Sequence, residues 1–275
     1  MSGSDTRVEV VRVRGEDRAV SADAVAVEAP LEVRVDGRAL AILMRTPGDD
    51  RALAAGFLLS ERLIRHADDI ATIEHCTDAT LESDDPRRNT VLVTLERAAA
   101  ARASNLLATR REVLASSSCG VCGRATIDSL RTDLAPIVSH VRVALRTLCD
   151  LPEQLRSRQA VFASTGGLHA AGLFSSDGSL QQIAEDVGRH NAVDKVIGAR
   201  LLHEALPLSQ SVLLVSGRTS FELVQKAWCA GIPVVAAVSA PSSLAVTLAH
   251  EAGITLVGFL RDGGLNIYAG ASRLV

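Results

Sequence analysis

Cys119-Gly120-Val121-Cys122 sets two thiols on either side of a Gly-Val step, with Gly123 following. Thiols at this spacing can close a disulfide, share a metal, or pass sulfur from one to the other. The glycines leave the backbone open, so a bulky reaction partner could reach either sulfur. Arg110, Arg111 and Arg124 are near in sequence and would favour thiolate, the nucleophile of sulfur exchange, if the fold brings them close. A structural zinc site needs four ligands, and His75-Cys76, Cys149 and Cys229 are too scattered to complete a set. No metal site is therefore expected. A thioredoxin-like pair would follow a strand, which Ser116-Ser117-Ser118 does not resemble. Zinc deaminases carry His-x-Glu before Pro-Cys-x-x-Cys, and neither accompanies this pair. The remaining cysteines read as small buried hydrophobes.

A second concentration of chemistry runs from Glu185 to Lys195, with Asp186, Arg189, His190, Asn191 and Asp194 among its polar side chains. On a helix His190 and Asp194 are one turn apart and could hydrogen-bond. The plain alternative is a solvated helix start, with Asp186 complementing the helix dipole. Thr165-Gly166-Gly167-Leu168-His169 is a small-residue turn that could cradle a ligand with its backbone.

Elements must position these groups, and the second half of the chain supplies a clear rhythm. Ser211–Val215, Val234–Val238 and Thr255–Phe259 are short apolar runs separated by helical stretches. Strand, helix, strand, helix, strand implies parallel pairing with right-handed crossovers. Ser216-Gly217-Arg218 follows the first run and Ser239-Ala240-Pro241 the second, each opening a helix. Ligands of open parallel sheets bind beyond the carboxyl ends of the strands, where helix N-termini attract phosphate or another anion. Thr219-Ser220-Phe221-Glu222 fits a capping box with Thr219 as N-cap. A helix is expected from about His190 to Glu204, and Gly231 and Gly253 fall where helices should stop.

The first half reads as α+β. Arg7 to Arg14 alternates Val with charge, a strand signal. Asp36-Gly37 between two apolar runs is a hairpin signal, as is Asp177-Gly178 later in the chain. Leu53, Phe57, Leu58 and Ile64 mark a helix running to about Arg65, with Asp49 or Asp50 as N-cap. Val91 to Leu95 is another strand, Ala98 to Ala115 is partly helical, and a domain boundary falls between Pro136 and Pro152.

The chain has 275 residues, 29 Lys+Arg and 32 Asp+Glu, a net charge of −3. That balance argues against a dedicated nucleic-acid binder, and 3% aromatics leave few stacking platforms. Apolar runs stop short of the roughly 20 residues of a membrane helix. Met1 to Asp5 has no signal-like apolar run, so no membrane association and a cytoplasmic location are expected.

The segments around Cys119, Thr165–His169, Asp186–Lys195, Ser216–Arg218, Ser239–Pro241 and Gly258–Arg261 together resemble the FdhD family. So do Glu28-Ala29-Pro30-Leu31, Met44–Asp49 and Ala55–Glu61. The likeness spans nearly the whole chain after about Glu28, in order. One departure is Arg62, where the family pattern leads one to expect Gly after Ser60-Glu61.

The resemblance implies a formate dehydrogenase accessory sulfurtransferase. Such a protein takes persulfide sulfur from a cysteine desulfurase and delivers it to the molybdenum (or tungsten) bis(molybdopterin guanine dinucleotide) cofactor before insertion into formate dehydrogenase. GDP would mimic part of that client. Cys119 matches the persulfide-bearing cysteine and Cys122 its partner, while Phe259-Leu260-Arg261-Asp262-Gly263-Gly264 matches the cofactor segment. A smaller N-terminal α+β domain (residues 1–145) would carry the thiol loop. A three-layer, cytidine-deaminase-like α/β domain (146–275) would follow, in a homodimer. The residues alone also admit a cofactor-binding chaperone that moves no sulfur.

Overall fold

A computed structural model describes residues 3–76, 89–110 and 134–275, with side chains in the helix ending at Arg110 described only to Leu107. Cys119 and Cys122 lie outside the described residues.

The chain opens with β1 (Asp5–Arg14) and β2 (Asp17–Ala26), an antiparallel ribbon in which Val11 faces Val20. The second strand was not legible in the sequence, because its Ala, Ser and Asp residues carry little strand preference. Both faces are largely exposed. A four-stranded sheet follows in the order β4-β3-β6-β5, built from β3 (Ala29–Val35), β4 (Arg38–Arg45), β5 (Ile70–His75) and β6 (Thr90–Leu95). Asp36 and Gly37 both take positive φ, 47° and 76°, the paired left-handed geometry that a two-residue hairpin needs. Helix α1 (Asp50–Ser60) lies between β4 and β5, and α2 (Arg97–Arg110) follows β6.

Helix α1 stops earlier than its apolar pattern suggests. Arg62 N–H donates to Leu59 and Leu63 N–H to Leu58 at 2.9 Å each, the reciprocal pair of a Schellman stop. Arg62 holds the left-handed position, φ 61°, where Gly is normally used. The chain turns there, and Leu63 and Ile64 enter the core from beyond the helix.

The rest is α/β as expected. A six-stranded sheet runs β12-β11-β10-β9-β7-β8. Its centre is the parallel trio β9 (Ser211–Val215), β10 (Val234–Ala237) and β11 (Thr255–Arg261). The antiparallel strands β7 (His169–Ser175), β8 (Leu180–Asp186) and β12 (Gly264–Ala269) flank it. Period-2 alternation sends the two halves of each strand to different layers. Leu213, Val215, Val235 and Leu256 face α5 (Arg189–Leu202), α6 (Phe221–Cys229) and α7 (Ser243–Ala252). Val212, Leu214, Val234 and Val257 share a second core with Leu148, Leu151 and Leu155 of α3 (Leu145–Ser157). The short α4 (Ala160–Thr165) then leads to β7.

The first core continues without a break into the four-stranded sheet through Leu31, Leu53 and Val91. The link is the crossing of α1 with α5. A Cβ on Gly56 would strike the Asp194 backbone, and one on Gly198 would strike the Ala52 carbonyl. Only paired glycines let two helix backbones come this close. Farther along, Ile137 N–H donates to Ala252 (2.8 Å) and Val143 N–H to Arg273 (2.9 Å), so residues 137–143 pack against the C-terminal half.

Candidate functional site

The turns after β9 and β10 are tied to each other. Thr219 N–H donates to Ala240 at 3.2 Å, and Ser242 N–H returns a bond to Thr219 at 2.9 Å. Phe259 N–H donates to Ser239 at 3.2 Å, which joins the end of β11 to the same edge. Gly258 is needed here, because a Cβ would meet Pro241 Cδ at 2.9 Å and the Tyr268 ring at 3.0 Å. Phe259 (φ 52°) and Asp262 (φ 54°) are left-handed without being glycine, and Gly263 follows at 72°. Such strain persists only where surrounding structure imposes it. Leu260 between them is fully buried in the core, so the segment's exposed chemistry belongs to its neighbours. The Arg261 guanidinium sits 5.5 Å from the Phe259 ring centre.

Beyond these strand ends lies a cleft of about 780 Å³, within the size range of small-molecule sites. It brings together Gly166, Gly167, His169, Ser216, Arg261, Asp262 and Gly263, residues the sequence reading picked from three separate segments. Gly217 closes on His169, whose Nδ1 would be 3.3 Å from a Cβ there. The Ser216 hydroxyl accepts Ala170 N–H at 2.9 Å, so it anchors β7 to β9. Burial lowers the His169 pKa, with like charge from Arg189 and His190 adding to it and Asp186 opposing. His169 therefore faces the cleft as a neutral imidazole at pH 7. Arg218 is exposed beside the cleft. The Thr165 hydroxyl donates back to Val161 (2.8 Å) and holds the Gly166-Gly167 turn in place.

The opposite wall comes from α3 and α4, which the sequence reading did not identify. Cys149, Glu153, Arg156, Gln159 and Phe162 line it. The Arg156 guanidinium lies 4.0 Å over the Phe162 ring, a cation–π contact.

The polar block Glu185–Lys195 has mainly a different task. Asp186 is fully buried and bonded by the Lys195 ammonium (2.8 Å), the Thr46 N–H (3.2 Å), the Gly188 N–H (2.8 Å) and the Asn191 amide (2.9 Å). Asn191 also donates to the Met44 carbonyl at 2.7 Å and Lys195 to the Thr46 carbonyl at 2.8 Å. The block is thus a clasp holding β4 of the first half against α5 of the second.

His190 and Asp194 do not meet, contrary to the one-turn spacing. His190 Nε2 lies 2.7 Å from Glu222 and 3.2 Å from the Ser220 hydroxyl. Asp194 points the other way, accepting from the Lys226 ammonium at 2.7 and 2.8 Å and from the Ser60 hydroxyl at 2.8 Å. Burial pushes the Asp194 carboxyl above its ordinary range, against the opposing pull of Lys226 and Ser60. The expected capping box is also absent. Ser220, not Thr219, is the N-cap of α6, with no side-chain cap, so Leu223 and not Glu222 falls at the third helical position, and Glu222 meets His190 instead.

Among the described residues no group of three or more His, Cys, Asp or Glu is arranged to hold a metal, and no helix is long and apolar enough to cross a membrane. Fold and site together define an α/β protein of two main sheets and a two-stranded ribbon, with a cleft beyond a parallel strand trio. The FdhD/NarQ family model matches residues 26–275. The sulfur carrier protein FdhD of Streptomyces coelicolor is 53% identical over 273 residues, covering 98% of this chain and 95% of that protein. The sulfur carrier protein FdhD of Sulfurisphaera tokodaii is 44% identical, covering 98% of both. A crystal structure from Desulfotalea psychrophila, assigned as a formate dehydrogenase accessory protein, matches with a TM-score of 0.79 and 25% identity. That match covers 99% of this chain and 100% of the other. The chain belongs to the FdhD/NarQ family.

Proposed function

We propose that this protein is a sulfur carrier for formate dehydrogenase maturation. It would accept sulfur from a cysteine desulfurase on Cys119 and deliver it to the molybdenum bis(molybdopterin guanine dinucleotide) cofactor held in the cleft. One observation carries the reading: the Cys119–Cys122 pair sits inside a nearly full-length match to relatives that bear the name sulfur carrier. In the first step Cys119 thiolate attacks the donor's terminal sulfur, so a persulfide forms on Cys119 and the donor leaves as thiolate. In the second, Cys122 attacks Cys119 Sγ. A disulfide forms, and the terminal sulfur departs as sulfide with the two electrons the thiols give up.

The cleft suits the client on chemical grounds. Arg261 and Arg156 can meet pyrophosphate, and the Gly166-Gly167 and Gly263-Gly264 turns allow close backbone approach. Cytoplasmic location and a homodimer are part of the same proposal.

The test is intact-protein mass spectrometry after incubation with a cysteine desulfurase and cysteine, for wild type, Cys119→Ala and Cys122→Ala. A reducible gain of one sulfur, absent in Cys119→Ala, is the expected result. No gain in wild type, with nucleotide binding intact, would leave a cofactor-binding chaperone as the better account.

A further inference from the structure

A smaller pocket of about 280 Å³ lies at the opposite end of the parallel strands from the cleft. Gly253 and Ile254, which lead into β11, help to line it, whereas Arg261 at the cleft ends that strand. At about 3.3 Å per residue, β11 separates the two by roughly 20 Å. Three segments meet around the pocket. Ser139, His140 and Arg142 come from the run before α3, His250 from the last turn of α7, and Ser272 and Arg273 from the short turn after β12. Val143 N–H bonds the Arg273 carbonyl at 2.9 Å and Ile137 N–H the Ala252 carbonyl at 2.8 Å, which lays the first segment against the other two. The Ser139 hydroxyl donates to the Ser209 carbonyl at 2.7 Å and accepts Val141 N–H at 3.1 Å, so the backbone around His140 is held.

Two guanidiniums and two imidazoles converge here, yet among the described lining residues there is no Asp or Glu. Arg273 is partly buried, and its terminal nitrogens donate to the Thr255 hydroxyl and the Ile137 carbonyl, both at 3.3 Å. Arg142 donates to the Val141 carbonyl at 3.2 Å. All three acceptors are neutral, and each terminal nitrogen carries a second N–H. Burial and the charge of Arg142 both push the Arg273 guanidinium below its ordinary value, so the two cations repel. Like charges held together out of bulk water are costly, and an anion between them would offset that cost.

Size and donor placement narrow the anion. The pocket falls just below the range of drug-sized ligand sites, and no Phe, Tyr or Trp lines it to stack a base. Its donors stand on three sides. A planar carboxylate offers two oxygens in one plane, whereas phosphate presents oxygens in every direction and accepts the forked guanidinium in a bidentate way. We propose that this pocket is a separate oxyanion site, taking inorganic phosphate or pyrophosphate between Arg142 and Arg273. His140 and His250 supply ring N–H donors, which an imidazole has in either protonation state. The bound anion would pin residues 139–142 to α7 and to the turn after β12. The site uses no residue of the cleft and stands apart from sulfur transfer.

The experiment is calorimetric titration of the full chain with phosphate and with pyrophosphate at fixed ionic strength, for wild type, Arg142→Gln, His250→Ala and Arg261→Gln. Arg142 and His250 are exposed, so folding is not at stake. Wild type should bind one equivalent that Arg142→Gln weakens by about tenfold, His250→Ala weakens less, and Arg261→Gln leaves unchanged. A second equivalent of pyrophosphate in the cleft would be the one that Arg261→Gln weakens. Urea midpoints give an independent readout. In phosphate-free buffer Arg142→Gln should match or exceed wild type, because a repulsion has gone, and saturating anion should reverse that order. Binding that Arg261→Gln weakens but Arg142→Gln does not would place the anion in the cleft and overturn the proposal. Binding of neither anion by wild type would overturn it as well.

Discussion

Lys226→Met tests the buried ion pair that ties α5 to α6 and, through Ser60, to α1. The Lys226 ammonium is within 2.8 Å of both Asp194 oxygens, and Asp194 is 2% exposed. Removing one member of such a pair strands the other charge, at a cost of about 3–5 kcal/mol. Against a typical total of roughly 5–15 kcal/mol, that would lower the melting temperature by about 6–20 °C. The loss should depend on pH in a stated direction. Burial already holds the Asp194 carboxyl above the ordinary carboxylate range, and without Lys226 it should rise further. A raised folded pKa means the native state binds the proton more tightly, so stability is favoured below the unfolded value and falls as pH rises through the folded one. The variant should therefore be closer to wild type at pH 5 than at pH 8. Urea denaturation at both values provides the assay, and Asp194→Leu with Lys226→Met should recover most of the loss. A loss below about 1 kcal/mol, or one equal at the two pH values, would refute a stranded buried carboxylate.

Arg62→Gly should stabilise the fold by about 1 kcal/mol, because the left-handed residue of the Schellman stop costs any side chain with a Cβ. A lowered urea midpoint would show that contacts of the Arg62 side chain outweigh the backbone strain. Gly198→Ala should destabilise by about 3 kcal/mol or more, since the new methyl meets backbone on α1 and neither helix can yield cheaply. Thermal melts would register this, and a shift of under a degree would mean the crossing is looser than the geometry requires. His169 should titrate below its ordinary value, since burial and the charges of Arg189 and His190 disfavour its protonation. Its contribution to stability is therefore present above pH 6.5 and declines as pH falls below it, and the ring-proton shift in NMR should show a midpoint below that of a solvent-exposed histidine.

Much of the scaffold was legible because local chemistry specified it. The Asp36-Gly37 hairpin follows from two residues that tolerate positive φ, and β9, β10 and β11 from apolar runs bounded by Ser, Gly and Pro. The β2 strand was not legible, since its residues favour no element strongly and pairing with β1 decides their conformation. Helices α3 and α4 were overlooked because Pro152 inside α3 reads as a helix breaker, although Leu148, Leu151 and Leu155 share one buried face, and because α4 is only six residues long.

For the site, sequence by itself determined the inventory: the thiol pair, the Gly-Gly-Leu-His turn and the Ser, Pro and Arg residues beyond the parallel strands. Residue types and turn signals persist whatever the chain does elsewhere, so they can be read from one dimension. Only the tertiary structure decided the division of labour. It turned Asn191 and Lys195 into a clasp around Asp186, drew Asp194 away from His190 toward Lys226, and brought Gln159 of one half of the cleft to face Arg261 of the other. Each outcome depends on which distant group a polar side chain meets when water is excluded. A buried charge or amide takes the partner that packing brings to it, and helix spacing alone does not name that partner.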